Sequence, residues 1–280
     1  MGIYIPVIYN GQPSALVGRS SLFSTQKGDM FCARRGKGEN VLFIHSLGIT
    51  PCSFEWRNPF RALSTSARVW ALDLPGYGRS EKRCEGYAAI DYIKAIKDFL
   101  VKRIHAPTIL VASGICAAYA LFVAYSLPVF VKGVVISGGY TSSGDIEYYK
   151  GKRGLSPQSI AELFTRDEIE RAVLDTASPL LTHEQLQAIT DEVQFCIKDS
   201  EYASWAIASF FNGACDISLI HIIRDIACPV VAIEGARPFT PSLPNIKRVT
   251  AQAQSILPHI DSPDLITMEI KELLSIKHEV

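Results

Sequence analysis

A run of 26 residues without a charged side chain, from Ala106 to Val131, constrains the fold of this 280-residue chain more than any other feature. Its length alone would be enough to span a lipid bilayer. However, Ser113-Gly114 interrupts the run after a short apolar stretch, and Pro128 ends its second half. The pattern therefore favours a buried strand, a tight turn and a buried helix, with no membrane span.

Short apolar runs of the same kind recur along the chain and alternate with helical patterns. We predict strands at Val41–His45, Val69–Leu72, Ile109–Ala112, Gly133–Ser137 and Pro229–Ile233. Unbroken apolar strands are typical of a parallel sheet that is covered on both faces. Helices are predicted over Tyr92–Arg103, which is amphipathic, and Ala117–Ser126, which is almost wholly apolar. The order predicts an α/β fold with a mostly parallel central sheet flanked by helices.

Between residues 141 and 212 the pattern changes to helical segments of mixed polarity, with no strand among them. We interpret this stretch as a helical insertion in an otherwise regular α/β core. The predicted organisation is an N-terminal extension over 1–19, a core formed by 20–140 and 213–276, and the insertion over 141–212.

The balance of charges and the hydrophobic fraction of the chain exclude some classes of protein and of function. The 28 basic side chains balance the 28 acidic ones, and 48% of the residues are hydrophobic. This excludes a disordered chain and argues against general nucleic-acid binding, which needs an excess of basic residues. A small, uncharged or apolar ligand fits a neutral chain better than a polyanion does. Oligomeric state is not readable from the sequence.

The seven cysteines are odd in number and show no CxxC or CxH spacing, which argues against a disulfide framework and against a zinc site. We find neither a phosphate-binding loop nor a GxGxxG motif that opens a helix, so no cofactor and no metal are predicted. The N-terminus has no basic stretch followed by a long apolar run, which favours a cytoplasmic location.

Several strings together resemble the α/β-hydrolase family. Residues 40–82 match that family's strand ending in His, its Trp-bearing helix and its Asp-x-x-Gly-x-Gly-x-Ser turn, through His45, Trp56, Asp73, Gly76, Gly78 and Ser80. Residues 109–137, 226–238 and 259–274 resemble the nucleophile elbow, the strand before the catalytic acid and the last helix. The resemblance covers roughly residues 20–276. It implies an α/β-hydrolase fold in which the insertion is a cap over a substrate pocket.

The three catalytic positions implied by the resemblance depart from Ser, Asp and His. Read as Gly114-Ile115-Cys116-Ala117-Ala118, the elbow has Cys116 as its nucleophile. Pro238 stands where the acid is expected, and Ile256 stands where the base is expected, seven residues before Pro263. The stretch between Pro238 and Ile256 is also too short for the family's usual helix and strand together.

Relocated partners are available for a cysteine mechanism. His259 lies three residues beyond the expected base, and Asp145 lies after the preceding predicted strand, where some family members carry the acid. The oxyanion side is better preserved. His45-Ser46-Leu47 replaces the usual His-Gly-x, and the N–H groups of Leu47 and Ala117 would be the donors by family analogy.

Two hypotheses follow. In the first, the chain is an α/β-hydrolase-fold protein without a working triad, which binds a small ligand under the cap or performs non-hydrolytic chemistry there. In the second, it is a Cys-dependent esterase, thioesterase or acyltransferase that uses Cys116, His259 and Asp145. The second needs two relocations at once, whereas the first needs none.

Overall fold

One eight-stranded sheet, in the order β1-β2-β4-β3-β5-β6-β7-β8, forms the centre of the molecule. The computed structural model describes residues 16–48, 51–139, 154–162, 164–176, 181–198, 202–214, 217, 219, 221–235, 246–252 and 255–276. The strands are β1 Arg19–Thr25, β2 Gly28–Arg35, β3 Asn40–Ile44, β4 Arg68–Leu72, β5 Thr108–Gly114, β6 Val131–Gly139, β7 Val230–Glu234 and β8 Ile246–Thr250.

Helices cover both faces of the sheet or lie between its strands. The α-helices are α1 Arg57–Leu63, α2 Ala89–Phe99, α3 Cys116–Ser126, α4 Pro157–Ala161, α5 Arg166–Thr176, α6 His183–Lys198, α7 Ala203–Ser209, α8 Pro258–Asp261 and α9 Pro263–Ser275. Short 3₁₀ turns occur at Ser53–Trp56 and Ile223–Asp225, and π-helical turns at Leu100–Ile104 and Phe210–Ala214.

The central strands are parallel, as predicted. β3 lies between β4 and β5, and Val41 pairs with both Val69 and Ile109. Every residue of β3 is buried, which is why its sequence is an uninterrupted apolar run. The predicted α/β fold with a mostly parallel sheet is therefore confirmed.

Three strands lie outside the sequence prediction: the internal strand β2 and the two strands at the sheet's edges, β1 and β8. β1 pairs antiparallel with β2 and forms one edge, and its burial alternates between half-buried and exposed residues. β8 forms the other edge, parallel to β7, and carries the exposed Lys247 and Arg248. Edge strands of this kind lack the continuous apolar run that marks a central strand. The short stretch before Ile256 thus does contain the family's last strand.

The long uncharged stretch resolves into β5, the turn at Gly114 and helix α3, in the predicted order. Most of α3 is buried, including Cys116 and Tyr119, so its lack of charge reflects packing against the sheet. Among the helices described, none is long and apolar enough to cross a membrane.

Helices α4 to α7 lie between β6 and β7 in the chain, and we call residues 157–214 the helical segment. It contacts the loops that follow β3 and β4. The Tyr77 hydroxyl donates to the Ala206 carbonyl over 3.3 Å, and Arg79 forms a largely buried ion pair with Glu192 of α6. The segment is therefore fixed to the carboxyl end of the sheet.

Candidate functional site

The candidate site lies where β3, β5 and β6 end. In a parallel sheet these carboxyl ends share one edge, which is where ligands of open α/β sheets bind. His45 and Ser46 follow β3, Ser113 and Gly114 close β5, and Ser137 lies near the end of β6. All five are buried or nearly so.

The turn from β5 into α3 is made by Gly114, whose φ of +52° is in the left-handed region. A Cβ atom placed on Gly114 would overlap the hydroxyl of Ser46. Ser46 itself donates a 3.3 Å hydrogen bond to the Leu47 carbonyl. The Ser46 hydroxyl therefore fills the space that a side chain at position 114 would need.

Cys116 is the first residue of α3, two positions beyond Gly114, and its side chain is fully buried. Burial raises the pKa of the thiol well above 9.0, and the nearby carboxylate of Glu55 raises it further. Among the described residues, no hydrogen bond joins its sulfur to His259. Ala117, the predicted oxyanion donor, lies in the first turn of α3 and is buried like Leu47.

A buried carboxylate, Glu55, links residues from three parts of the site. Its Oε1 accepts hydrogen bonds from the Ser113 hydroxyl and, over 3.3 Å, from the Ser46 N–H. The same oxygen lies 3.5 Å from Nε2 of His259. Glu55 is not among the residues predicted from the sequence, because it belongs to no motif and stands one residue before the recognisable Trp56.

His259 is buried at the start of helix α8, and its ring contacts Ser137 and Trp56, whereas Nε2 has no hydrogen-bond partner among the described residues. Nδ1 is 2.9 Å from the Ser137 hydroxyl, which also accepts the His259 N–H over 3.1 Å. The ring stacks on Trp56 with centroids 4.0 Å apart. The backbone N–H of His259 donates to the Ser137 hydroxyl oxygen, so the hydroxyl can donate its own proton to Nδ1. Nδ1 is then the acceptor, and the ring proton lies on Nε2, which faces Glu55.

His45 connects two loops of the site. Its Nε2 accepts a 2.8 Å hydrogen bond from the Leu74 N–H, so the neutral ring carries its proton on Nδ1, which donates to the Ser46 carbonyl. The Asp73 carboxylate also joins two loops, because it accepts hydrogen bonds from the N–H groups of Ser53 and Arg79, each over 2.7 Å. Both residues position loops and leave no free group for acid–base chemistry.

The expected base and acid positions differ in how much the structure describes. Ile256 is half-buried, and its carbonyl lies where a Cβ of Gly138 would be, so it does reach the end of β6. Pro238 and Asp145 lie outside the described residues. The pairing of His259 with Asp145 therefore stays a prediction.

One group of side chains has donor atoms suited to a metal. Sulfur atoms of Cys52 and Cys196 and a carboxylate oxygen of Glu192 all lie within 4.8 Å of one another. Cys52 precedes the turn at Ser53–Trp56, whereas Glu192 and Cys196 belong to α6. The hydrogen bond between the two sulfurs and, next to it, burial raise the pKa of Cys52 well above 9.0.

The strand order, the sharp turn after β5 and the helical segment after β6 define the architecture of an α/β hydrolase. A family model described as the alpha/beta hydrolase family matches residues 41–265, so the chain belongs to that family. This confirms the resemblance seen in the sequence. Curated protein sequences include no match to this chain.

Solved structures of hydrolases share the fold at low sequence identity. A serine hydrolase involved in carbazole degradation is 17% identical, with a TM-score of 0.74 over 92% of this chain and 99% of its own. A hydrolase from Pseudomonas aeruginosa is 15% identical, with a TM-score of 0.75 over 93% and 100%. The carboxylesterase CesB from Bacillus subtilis is 18% identical, with a TM-score of 0.71 over 94% of each chain.

Proposed function

We propose that this protein is a member of the alpha/beta hydrolase family that lacks a working catalytic triad and binds a small, uncharged or apolar molecule beneath a helical cap. The observation that carries the proposal is the glycine at the strand-to-helix turn. In the family the nucleophile stands on this strained turn, with its side chain exposed at the top of the sheet. The left-handed residue of the turn is Gly114.

The assignment of the nucleophile position to Gly114 shifts the elbow by two residues from the sequence interpretation. The five-residue pattern then reads Ala112-Ser113-Gly114-Ile115-Cys116. Cys116 takes the second small-residue position, inside the helix and without solvent access. No nucleophilic side chain then stands at the turn, and the first oxyanion donor after it is the N–H of Ile115 in place of Ala117.

Ser46 does not replace the missing nucleophile under this proposal. A serine hydroxyl is a weak nucleophile until an adjacent base accepts its proton. The Ser46 hydroxyl donates to the Leu47 carbonyl, and among the described residues no histidine nitrogen accepts from it. Its role is to fill the elbow and to present an oxygen to a ligand.

The cysteine mechanism finds less support. A catalytic thiol must be accessible and must populate the thiolate. Cys116 is fully buried, and its pKa is raised by burial. His259 is hydrogen-bonded to Ser137 and stacked on Trp56, and its Nε2 faces Glu55 at 3.5 Å, so its ring is not free to approach a substrate.

The ligand class follows from the side chains at the junction of the helical segment and the core. Val193, Ile197, Ala203 and Ile207, with Tyr77, form an apolar surface at this junction. It surrounds a cavity of about 20 Å³ that also borders Cys52, Cys196 and Lys82 and is too small to hold the ligand itself. An uncharged or apolar molecule suits such walls. A cytoplasmic location is part of the same proposal, and it is supported by the free thiols of all six cysteines within the described residues.

The test compares turnover with binding. We expect no saturable hydrolysis of p-nitrophenyl acetate or p-nitrophenyl butyrate and no labelling by a fluorophosphonate. Intact p-nitrophenyl butyrate should nevertheless show saturation-transfer signals in the presence of the protein. The Cys116→Ala, Ser46→Ala and His259→Gln variants should give the same background hydrolysis as the native chain.

Saturable turnover that disappears in Cys116→Ala would establish the cysteine mechanism instead. Saturable turnover that disappears in Ser46→Ala would make the relocated serine the nucleophile. Either result overturns the proposal. Cys84→Ser, at an exposed cysteine remote from the elbow in the chain, is the matched control for nonspecific thiol reactivity.

A further inference from the structure

Two cysteines and a glutamate meet where the helical segment contacts the loop after β3. We propose that Cys52, Glu192 and Cys196 form a zinc site that joins helix α6 to the core. The inference does not rest on the proposed function, because none of the three residues belongs to the elbow. No metal is predicted from the sequence, because the cysteines form no closely spaced motif and these three residues are brought together only by the fold.

The spacing of the donor atoms fits one tetrahedral ion. Zinc–sulfur bonds of about 2.3 Å and zinc–oxygen bonds of about 2.0 Å place ligand atoms about 3.3–3.8 Å apart. Cys196 Sγ and Glu192 Oε1 are 3.7 Å apart, and all three donors lie within 4.8 Å of one another. Small side-chain rotations would complete the coordination.

The ligands are presented by stable local structure. Glu192 and Cys196 are four residues apart on α6, so both side chains project from the same face of the helix. Cys52 is held from the other side, because the next residue, Ser53, donates its N–H to Asp73 over 2.7 Å. Cys52 and Cys196 are 5% and 9% exposed, which shields the site from competing water.

Arg79 supplies the outer partner that ligating carboxylates usually have. Its guanidinium forms a bidentate pair with Glu192, with Nη2 at 3.1 Å from Oε2, and Nη1 lies 3.9 Å from the Cys196 sulfur. Nη1 contacts Oε1, so binding of the ion would replace that contact, while Nη2 keeps its hydrogen bond to Oε2. The neighbouring ammonium of Lys82 is directed at the Gly78 and Ser80 carbonyls.

A fourth ligand has space available. A cavity of about 20 Å³, lined by Cys52 and Cys196 among others, adjoins the cluster. That volume holds one water molecule. The predicted site therefore has two thiolates, one carboxylate and one water, and it bridges segments far apart in the sequence. Binding displaces one proton from each thiol, and both protons go to the solvent.

The experiment uses the full chain, stripped with a chelator and kept reduced. Zinc chloride should bind at one ion per chain, release close to two protons and raise the melting temperature, whereas magnesium chloride should not. Cobalt(II) should give an intense sulfur-to-metal charge-transfer band. Arg79→Gln, which removes the hydrogen-bond partner of Glu192, should weaken zinc binding by about 10–100-fold. Cys52→Ser and Cys196→Ser each remove a ligand and should weaken zinc binding by more than that.

Cys32→Ser and Cys84→Ser are the matched controls, one buried and one exposed, and both should bind zinc like the native chain. The melting temperature of the metal-stripped native chain, with and without zinc, tests the site without depending on whether any variant folds. Absence of a zinc-dependent rise in its melting temperature would overturn the proposal. So would equal zinc binding by the double variant Cys52→Ser/Cys196→Ser, or a Cys52–Cys196 disulfide in protein purified without reductant.

Discussion

The Ser46 hydroxyl occupies the space into which a side chain at Gly114 would project. Family members with His-Gly after β3 and a nucleophile after β5 have the opposite arrangement, with the small residue on the first loop and the larger one on the elbow. If Gly114 holds the nucleophile position, as we propose, the hydroxyl here lies on the facing loop and the small residue on the elbow. Side chains at positions 46 and 114 compete for the same space, so substitutions at the two positions can be tested as a pair.

Gly114→Ser should destabilise the fold by about 2–4 kcal/mol. About 1–2 kcal/mol comes from a left-handed φ on a residue with a Cβ, and the rest from overlap with Ser46. Ser46→Gly in the same chain should relieve the overlap. Urea unfolding of the four proteins of this cycle should therefore give a favourable coupling of about 1–3 kcal/mol.

The control pair is Thr250→Ser with Gly114→Ser, because Thr250 ends the edge strand β8 and is not a neighbour of Gly114 in the sheet. That pair should be additive. If Ser46→Gly/Gly114→Ser is also additive, the two side chains do not compete for one space, and the assignment of the nucleophile position to Gly114 loses its support.

The sequence alone could not decide the register of the elbow. Small residues flank both Cys116 and Gly114, so the family's spacing of small residues accommodates either one as the central position. Only the backbone angle distinguishes the two positions, since the turn needs one left-handed residue and Gly114 provides it.

Cys116 should behave as a buried structural thiol. Its folded pKa lies above the unfolded value of about 9, so the unfolded chain loses this proton first as the pH rises. The unfolded state then binds fewer protons than the folded state, and the stability contributed below pH 9 is lost above it. Each such thiol should lower the free energy of unfolding by up to about 1.4 kcal/mol per pH unit.

Cys116→Ala should remove that share of the alkaline slope. Urea unfolding from pH 8 to 10.5 measures it, and Cys84→Ser should leave the slope unchanged because Cys84 is exposed. In the native chain at pH 8, iodoacetamide should modify Cys84 well before Cys116. Rapid alkylation of Cys116, or an unchanged slope in Cys116→Ala, would contradict its burial.

The hydrogen bonds between Ser137 and His259 should stabilise the segment after β8. The Ser137 hydroxyl accepts the His259 N–H and pairs with its Nδ1, both inside the core. Ser137→Ala removes the partner of two buried groups and should cost about 1–3 kcal/mol in urea unfolding. Ser275→Ala is the control, since that exposed hydroxyl donates to the Glu272 carbonyl, and its effect should stay below about 0.5 kcal/mol.

The fold was predictable where burial forces apolar runs, as in β3 and β5, and where the Asp73 turn has a recognisable spacing. The Glu55 cluster was not predictable, because its members come from three separated segments. Glu55, Ser113 and His259 meet only once the sheet brings those segments to one edge. A buried carboxylate has no sequence signature, whereas the Trp56 beside it does.

The backbone at Ile256, the position at which the sequence resemblance predicts the base, should be held in place by Gly138. A Cβ at Gly138 would overlap the Ile256 carbonyl, and its φ of +61° is left-handed. Gly154 is the matched control, with φ +89° and, apart from its chain neighbours, no atom of the described residues within 4 Å of an added Cβ. Gly154→Ala should thus cost about 1–2 kcal/mol from backbone strain alone. Gly138→Ala should cost about 1–3 kcal/mol more, because the Ile256 segment must shift. Equal losses in urea unfolding would mean that this segment does not pack against the end of β6.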